Sequence, residues 1–314
     1  MKVRSLYPFA LVFLFLTACK SDPKKEQETI VEIETVLPHK VSVVTKSMEF
    51  YAPDTIPSGW NTLIYENQST EPHFILLDKY PEGKRLADTK KEVIPPFDEG
   101  MALIMEGKNE EAMEAFGKLP EWSTEIVFSG GTGLISPGET AVTTVKLDPG
   151  YYVMECYVRM PDGRFHVSMG MAKELVVSEE DSGDAAPEAD IALSLSSTEG
   201  IVLKDTITAG EKIISVQYGD QIVHENFMGH DINLVRMEDD ADMEELQAWL
   251  NWATPTGLMS STTPDGIVFL GGTNDSPSGS IQFFKADLQP GRYAFVSEVP
   301  NAGEKGMLKV FTVE

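Results

Sequence analysis

Cys156 and His166, with His73 far upstream and Met169 and Met171 just beyond, are the residues whose types and spacing could do chemistry. Thiolate and thioether are soft donors and imidazole binds copper well. Two His, one Cys and one Met are therefore the ligand set of a copper site with imidazoles and thiolate in a trigonal plane and the thioether at long axial distance. Each residue taken alone has a blander reading: a Cys on an inward strand face packs as a small hydrophobe, and a Met near a strand start is usually core. Only their joint pattern points to a metal.

Such ligands need strands to position them. In Tyr152-x-Met154-x-Cys156 the side chains leave one face of a strand, expected to be inward, while Tyr151, Val153, Glu155 and Tyr157 leave the other. Residues 41–44, 62–66, 74–77, 141–147 and 151–158 are short β runs separated by Gly, Pro, Asn or Asp, the pattern of a sandwich. Between the His73 strand and Gly130-Gly131, residues 101–118 carry Met101, Ile104, Met105, Ala112, Met113 and Phe116 at helical spacing, so one or two helices are inserted there. A counterpart spans 240–252, where Asp239, Asp240 and Asp242 suit a helix N-terminus.

The string Pro149-Gly150-x-Tyr152-x-Met154-x-Cys156, then His166, then Gly170-Met171 and the strand Glu174-Leu175-Val176-Val177 resembles the C-terminal motif of cupredoxins. Their first His also follows an Asn-containing turn, as His73 follows Asn67-Gln68-Ser69-Thr70-Glu71-Pro72. The resemblance implies that His73, Cys156 and His166 are equatorial copper ligands and Met171 the axial one, with Met169 as an alternative. One departure stands out. Cys and second His are usually only a few residues apart in copper-loaded members, whereas nine residues, 157–165, intervene here, and the turn formers Pro161-Asp162-Gly163 would have to fold them into a hairpin-like excursion.

The chain also repeats itself. Ile126-Val127-Phe128 followed by Gly130-Gly131-Thr132 returns as Ile267-Val268-Phe269 followed by Gly271-Gly272-Thr273. Leu147-Asp148-Pro149-Gly150 with Tyr152 returns as Leu288-Gln289-Pro290-Gly291 with Tyr293, and Gly170-Met171 as Gly306-Met307. A repeat of this length means a duplicated domain. The expected fold is all-β: two cupredoxin-like Greek-key β-sandwich domains, each with a short helical insertion. In the second copy His230 takes the place of His73 and Met307 that of Met171. Ser297 stands where Cys156 would be, and the shortened loop lacks a second His. One copper per chain, in domain 1 only, is the expectation. His224 and His230 have no third strong ligand nearby in sequence, which argues against a separate zinc site.

Lys2 and Arg4 precede an apolar run from Leu6 to Leu16, and Leu16-Thr17-Ala18-Cys19 ends it. This reads as a secretory signal and is similar to the lipobox of bacterial lipoproteins, which implies lipidation of Cys19. The expected organisation is a lipoprotein signal peptide at 1–18, lipidated Cys and tether at 19–35, domain 1 at 36–178, an acidic linker at 179–190 that would permit motion, and domain 2 at 191–314. With Cys19 lipidated, Cys156 has no disulfide partner in an exported protein, so it is either buried and inert or held by a metal. The expected location is the bacterial cell envelope, at the periplasmic face or the outer-membrane surface. The membrane would be contacted through the N-terminal lipid.

Asp and Glu number 50 against 25 Lys and Arg, a formal charge of −25 that excludes nucleic acid as a partner. Five His are too few for a trinuclear copper cluster, no Gly-x-Ser-x-Gly elbow is present, and Gly130-Gly131-Thr132-Gly133 lacks the Lys of a phosphate loop. A non-enzyme is expected. Two functions remain: a copper-binding envelope lipoprotein for electron transfer or copper carriage, with a redox or copper-carrier protein as partner, or a metal-free two-domain module binding a protein or glycan. The separation of Cys156 from the two imidazoles decides between them.

Overall fold

The recurring Gly-Gly-Thr string marks a place where two strands touch through their backbones. The computed structural model describes residues 39–314, and the signal segment, Cys19 and the tether lie outside the described residues. A Cβ on Gly131 would sit 1.9 Å from the Ile75 carbonyl oxygen, and one on Gly272 1.9 Å from that of Ile232. Only glycine fits at φ +148° and +134° with so close a neighbour. Thr132 Oγ1 then accepts from the Ile75 amide at 3.1 Å, which pins the bulge beside His73.

The first copy contains β1 (Lys40–Lys46), β2 (Glu49–Tyr51), β3 (Thr55–Asn67), β4 (His73–Lys79), β5 (Val127–Ile135), β6 (Thr140–Leu147), β7 (Gly150–Glu155) and β8 (Ala172–Asp181). The second contains β9 (Ile191–Ser196), β10 (Gly200–Leu203), β11 (Gly210–Tyr218), β12 (Ile232–Met237), β13 (Ile267–Thr273), β14 (Ile281–Leu288), β15 (Gly291–Val296) and β16 (Leu308–Val313). In the first, β1 pairs antiparallel with β2 and parallel with β3, β3 pairs with β6, and β4 lies between β5 and β7, with β8 beyond β7. The same pairings recur from β9 to β16. The duplication read from scattered strings therefore holds strand by strand. It extends to side chains: Tyr152 Oη donates to the Asp148 carbonyl at 2.8 Å, and Tyr293 Oη to the Gln289 carbonyl at 3.0 Å.

The copies share their sheets. β6 pairs antiparallel with β14 from Thr144↔Phe283 to Val142↔Lys285, and β5 meets β13 at Ile135↔Leu270. Residues 39–314 accordingly form one unit, where the sequence suggested two bodies on a mobile linker. Residues 179–181 complete β8 and only 182–190 connect the copies without regular structure.

Between β4 and β5 come α1 (Leu86–Asp88), a π turn at Thr89–Val93, α2 (Ile94–Met105) and α3 (Asn109–Phe116). Pro95 and Pro96 sit in the first turn of α2, directly after the π turn. Gly107 at φ +73° separates α2 from α3. In the second copy α4 (Met243–Leu250) is capped by Asp242, whose Oδ1 accepts from the Glu244 and Glu245 amides at 2.8 and 3.2 Å. The first insertion covers the outer face of β7: Tyr80, Leu86 and Val153 form a small apolar cluster under Trp122. Both faces of β7 are therefore buried, and Glu155 goes under with Val153. Among the described residues no helix is long and apolar enough to cross a membrane.

Candidate metal centre

His73 opens β4, and the turn before it is built by Asn67. The Asn67 Nδ2 donates to the Glu71 and Ile135 carbonyls at 2.8 and 3.1 Å, while its Oδ1 accepts from the Ser69 amide at 3.0 Å. Cys156 is the first residue after β7. The excursion that follows is a tight hairpin: the Met160 amide donates to the Arg164 carbonyl at 2.8 Å, Gly163 to Met160 at 2.9 Å, and Arg159 bridges Phe165. It closes where the His166 amide donates to the Val158 carbonyl at 2.8 Å and Val167 to the Cys156 carbonyl at 3.0 Å. The departure in loop length is absorbed by an added hairpin.

The three donors converge. Cys156 Sγ lies 3.7 Å from His73 Nδ1 and 3.7 Å from His166 Nδ1, and the two Nδ1 atoms are 3.1 Å apart. Two bonds of roughly 2.0–2.3 Å span these separations at opening angles of about 100–120°, so one ion fits between all three. All three side chains are fully buried. Among the described residues this is the one group of three or more His, Cys, Asp or Glu gathered closely enough to hold a metal. Among the described residues neither Nε2 atom has a well-aligned hydrogen-bond partner; that of His166 lies 3.4 Å from Glu71 Oε2. A carboxylate beside the distal nitrogen of a ligating His is the usual support for such a ring.

Burial decides the protonation of the donors. It pulls His73 down to about 4, against a smaller opposing effect of the Ser47 carbonyl, and pulls His166 down to about 3, with the neighbouring His73 adding to the effect. Both imidazoles are neutral at pH 7, as a metal ligand must be. Burial pushes the Cys156 thiol up to about 12, while the hydrogen-bonded Phe74 and Val158 amides work the other way. Without a metal the pocket holds a thiol; a thiolate there needs a cation.

Met171 is fully buried and its amide donates to the His166 carbonyl at 3.0 Å, whereas Met169 is 42% exposed. Of the two, Met171 is the one enclosed with the ligand loop. The degenerate copy behaves differently. Ser297 Oγ donates to Asp231 Oδ1 at 2.6 Å, and His224 and His230 meet through their Nε2 atoms at 2.8 Å. His230 Nδ1 lies 3.1 Å from the Asp220 carbonyl and must donate there, so its Nε2 accepts from His224.

Sequence reasoning missed Arg159. This fully buried guanidinium sits in the ligand hairpin and donates through Nη1 to the carbonyls of Trp252, Thr254 and Gly257 in the second copy, at 2.9, 2.6 and 2.9 Å. Its Nε donates to Gly163 within the hairpin. The signal available was a single Arg between the two expected ligands, which does not reveal partners some ninety residues away. Glu71 was also passed over, although it stands two residues before His73.

The strand order is that of a duplicated sandwich of cupredoxin-like fold, with His73, Cys156 and His166 gathered in the first copy. No family model matches the chain, and no curated protein matches it. Similar solved structures include a dithionite-reduced auracyanin from the photosynthetic bacterium Roseiflexus castenholzii, 22% identical over 44% of this chain and 96% of that one, with a TM-score of 0.27. A copper-containing nitrite reductase from Thermus scotoductus is 10% identical over 88% of this chain and 61% of that one, at a TM-score of 0.22. A multicopper oxidase is 14% identical over 88% of both chains, at 0.19. These last two are enzymes, and the expectation of a non-enzyme is withdrawn on that finding. The histidine count spoke only against a trinuclear cluster and did not reach other catalysis. Likeness at these scores assigns no activity to this chain.

Proposed function

We propose that the chain binds one copper ion in its first copy, for single-electron transfer or copper carriage. His73, Cys156 and His166 would be the equatorial ligands and Met171 the axial one. The observation that supports this is the convergence of two Nδ1 atoms and one Sγ within 3.7 Å, inside a site sealed from water. Bound copper supplies a one-electron couple. The chain's own part is to hold the donors in one geometry: the Asn67 turn fixes His73, the hairpin returns His166, and the Phe74 and Val158 amides stabilise charge on sulfur. A metal-free binding module would have Cys156 walled away from both imidazoles, and 3.7 Å speaks against it.

Lipidation of Cys19 would tether this site to the bacterial cell envelope, facing the periplasm or the cell surface, within reach of a redox or copper-carrier protein. An anaerobic copper titration of the protein tests the copper reading. One equivalent should produce an intense visible thiolate-to-copper band that Cys156→Ser abolishes. Where the thiol reduces Cu(II), competition with a Cu(I) chelator should give the same stoichiometry. Absence of binding in both forms overturns the proposal.

A further inference from the structure

A cavity of about 130 Å³ lies on the seam between the two copies. Its wall from the first copy includes Phe74 and Phe165, each next in sequence to a metal-site His, together with Tyr157. The second copy contributes Trp252 and Phe227, and also two carboxyl groups, Asp275 and Glu298. The aromatic rings are contiguous: Tyr157 and Phe165 meet edge to face at 5.6 Å between centroids, and Phe165 and Trp252 at 5.9 Å. Phe128 and Phe227, 39% and 54% exposed, belong to the same lining and place it at the surface. Asn226 and Phe227 both hold left-handed backbone, φ 61° and 62°, a strained pair of non-glycine residues at this lip.

The acids have no cation to balance them. Glu298 is 7% exposed, and among the described residues neither it nor Asp275 forms a salt bridge. Asp275 accepts from Gln221 Nε2 at 3.1 Å and from the Gly229 amide, and the Asn233 side chain is hydrogen-bonded to the Glu298 carboxyl. Burial, with the charge of Asp231 beside them, holds both carboxyls well above the usual range, so they keep their protons in the empty cavity and an entering cation would favour their ionised form. A metal ion does not suit them, because these carboxyls are not gathered into a metal-ligating set. What suits both features is a cation large and weakly hydrated enough to lie against ring faces.

We propose that this seam cavity binds a small organic ammonium ion, caged by Tyr157, Phe165 and Trp252 and balanced by Glu298 and Asp275. Ring quadrupoles attract such a cation once it is desolvated. The space is close to the roughly 150 Å³ that admits a benzene-sized guest. The acidic surface of the whole chain favours the approach of cations.

Titration calorimetry on the copper-free full chain with tetramethylammonium, and with tert-butanol as a neutral analogue, tests this independently of the copper proposal. The ammonium ion should bind at one saturable site at least tenfold more tightly than the alcohol. Glu298→Gln should weaken it at least tenfold and leave the alcohol unchanged. Trp252→Leu should weaken it too, and serves where the first variant does not fold. Equal binding of ion and alcohol, no saturable binding, or an affinity indifferent to the folded variant overturns the proposal.

Discussion

Replacing Arg159 with methionine lowers the unfolding midpoint of the metal-free protein by about 10 °C. Among the described residues the buried guanidinium has no carboxylate partner; its charge is satisfied by the backbone carbonyls of Trp252, Thr254 and Gly257. Burial draws its pKa down to about 10, so it remains charged at pH 7. Methionine fills part of the space but leaves the carbonyls without donors, at a cost of roughly 1–3 kcal/mol for each group that water cannot reach. A net loss of about 3–5 kcal/mol, at about 2–4 °C per kcal/mol for a chain of this size, gives the expected shift. Arg159→Lys should recover little, because an ammonium lacks the planar fork that spans these acceptors. Calorimetric scans of the three proteins check this, and a shift under about 2 °C for the methionine variant contradicts it. The same substitution should weaken copper binding, because Arg159 ties the hairpin between Cys156 and His166 to the second copy.

Asp78→Asn stabilises the protein at pH 8 and leaves it unchanged near pH 4. Asp78 is fully enclosed; among the described residues its Oδ1 has no hydrogen-bond partner, and the carboxyl has Tyr157 Oη at 3.4 Å from Oδ2 and the Glu155 carboxyl beside it. Burial holds its carboxyl well above the usual range, and the charge of Glu155 adds to this. Tyr157 favours Glu155 instead, donating to its Oε2 at 2.6 Å, while Tyr80 donates to Oε1 at 3.1 Å. A carboxyl that keeps its proton when folded and loses it when unfolded lets stability fall as pH rises from about 4 through its folded pKa. Asparagine removes that slope, so the variant should gain on wild type steadily as pH rises from 4 to 8. The buried imidazoles act on the other side: His73 and His166, lowered to about 4 and 3, make the metal-free protein less stable as pH falls below about 6.5. Urea unfolding of wild type and variant from pH 4 to pH 8 separates the two effects. A variant no more stable than wild type at pH 8 contradicts the reading.

The duplication was legible in the sequence because Gly131 and Gly272 answer the same backbone collision, and Tyr152 and Tyr293 make the same bond in each copy. The gathering of His73, Cys156 and His166 was legible for a related reason: residue type and strand periodicity constrain Cys156, and the resemblance to the cupredoxin motif supplies His166. The joining of the sheets through β6 and β14 was not, since pairing of two strand edges leaves no local mark. Nor was the burial of Glu155, which the alternation of β7 placed on an outer face. That face is closed by the insertion between β4 and β5, and only the packing of Leu86 and Trp122 over Val153 reveals it. Arg159 escaped for the same reason as the sheets, because its partners are backbone carbonyls of the other copy.

We propose one metal among His73 Nδ1, His166 Nδ1 and Cys156 Sγ. X-ray absorption at the copper edge of the loaded protein tests it most directly. The account predicts a first shell of one sulfur and two imidazole nitrogens, with the close sulfur absent in Cys156→Ser. A shell of nitrogen and oxygen alone, with the Cys156 thiol still free in the loaded protein, would contradict it.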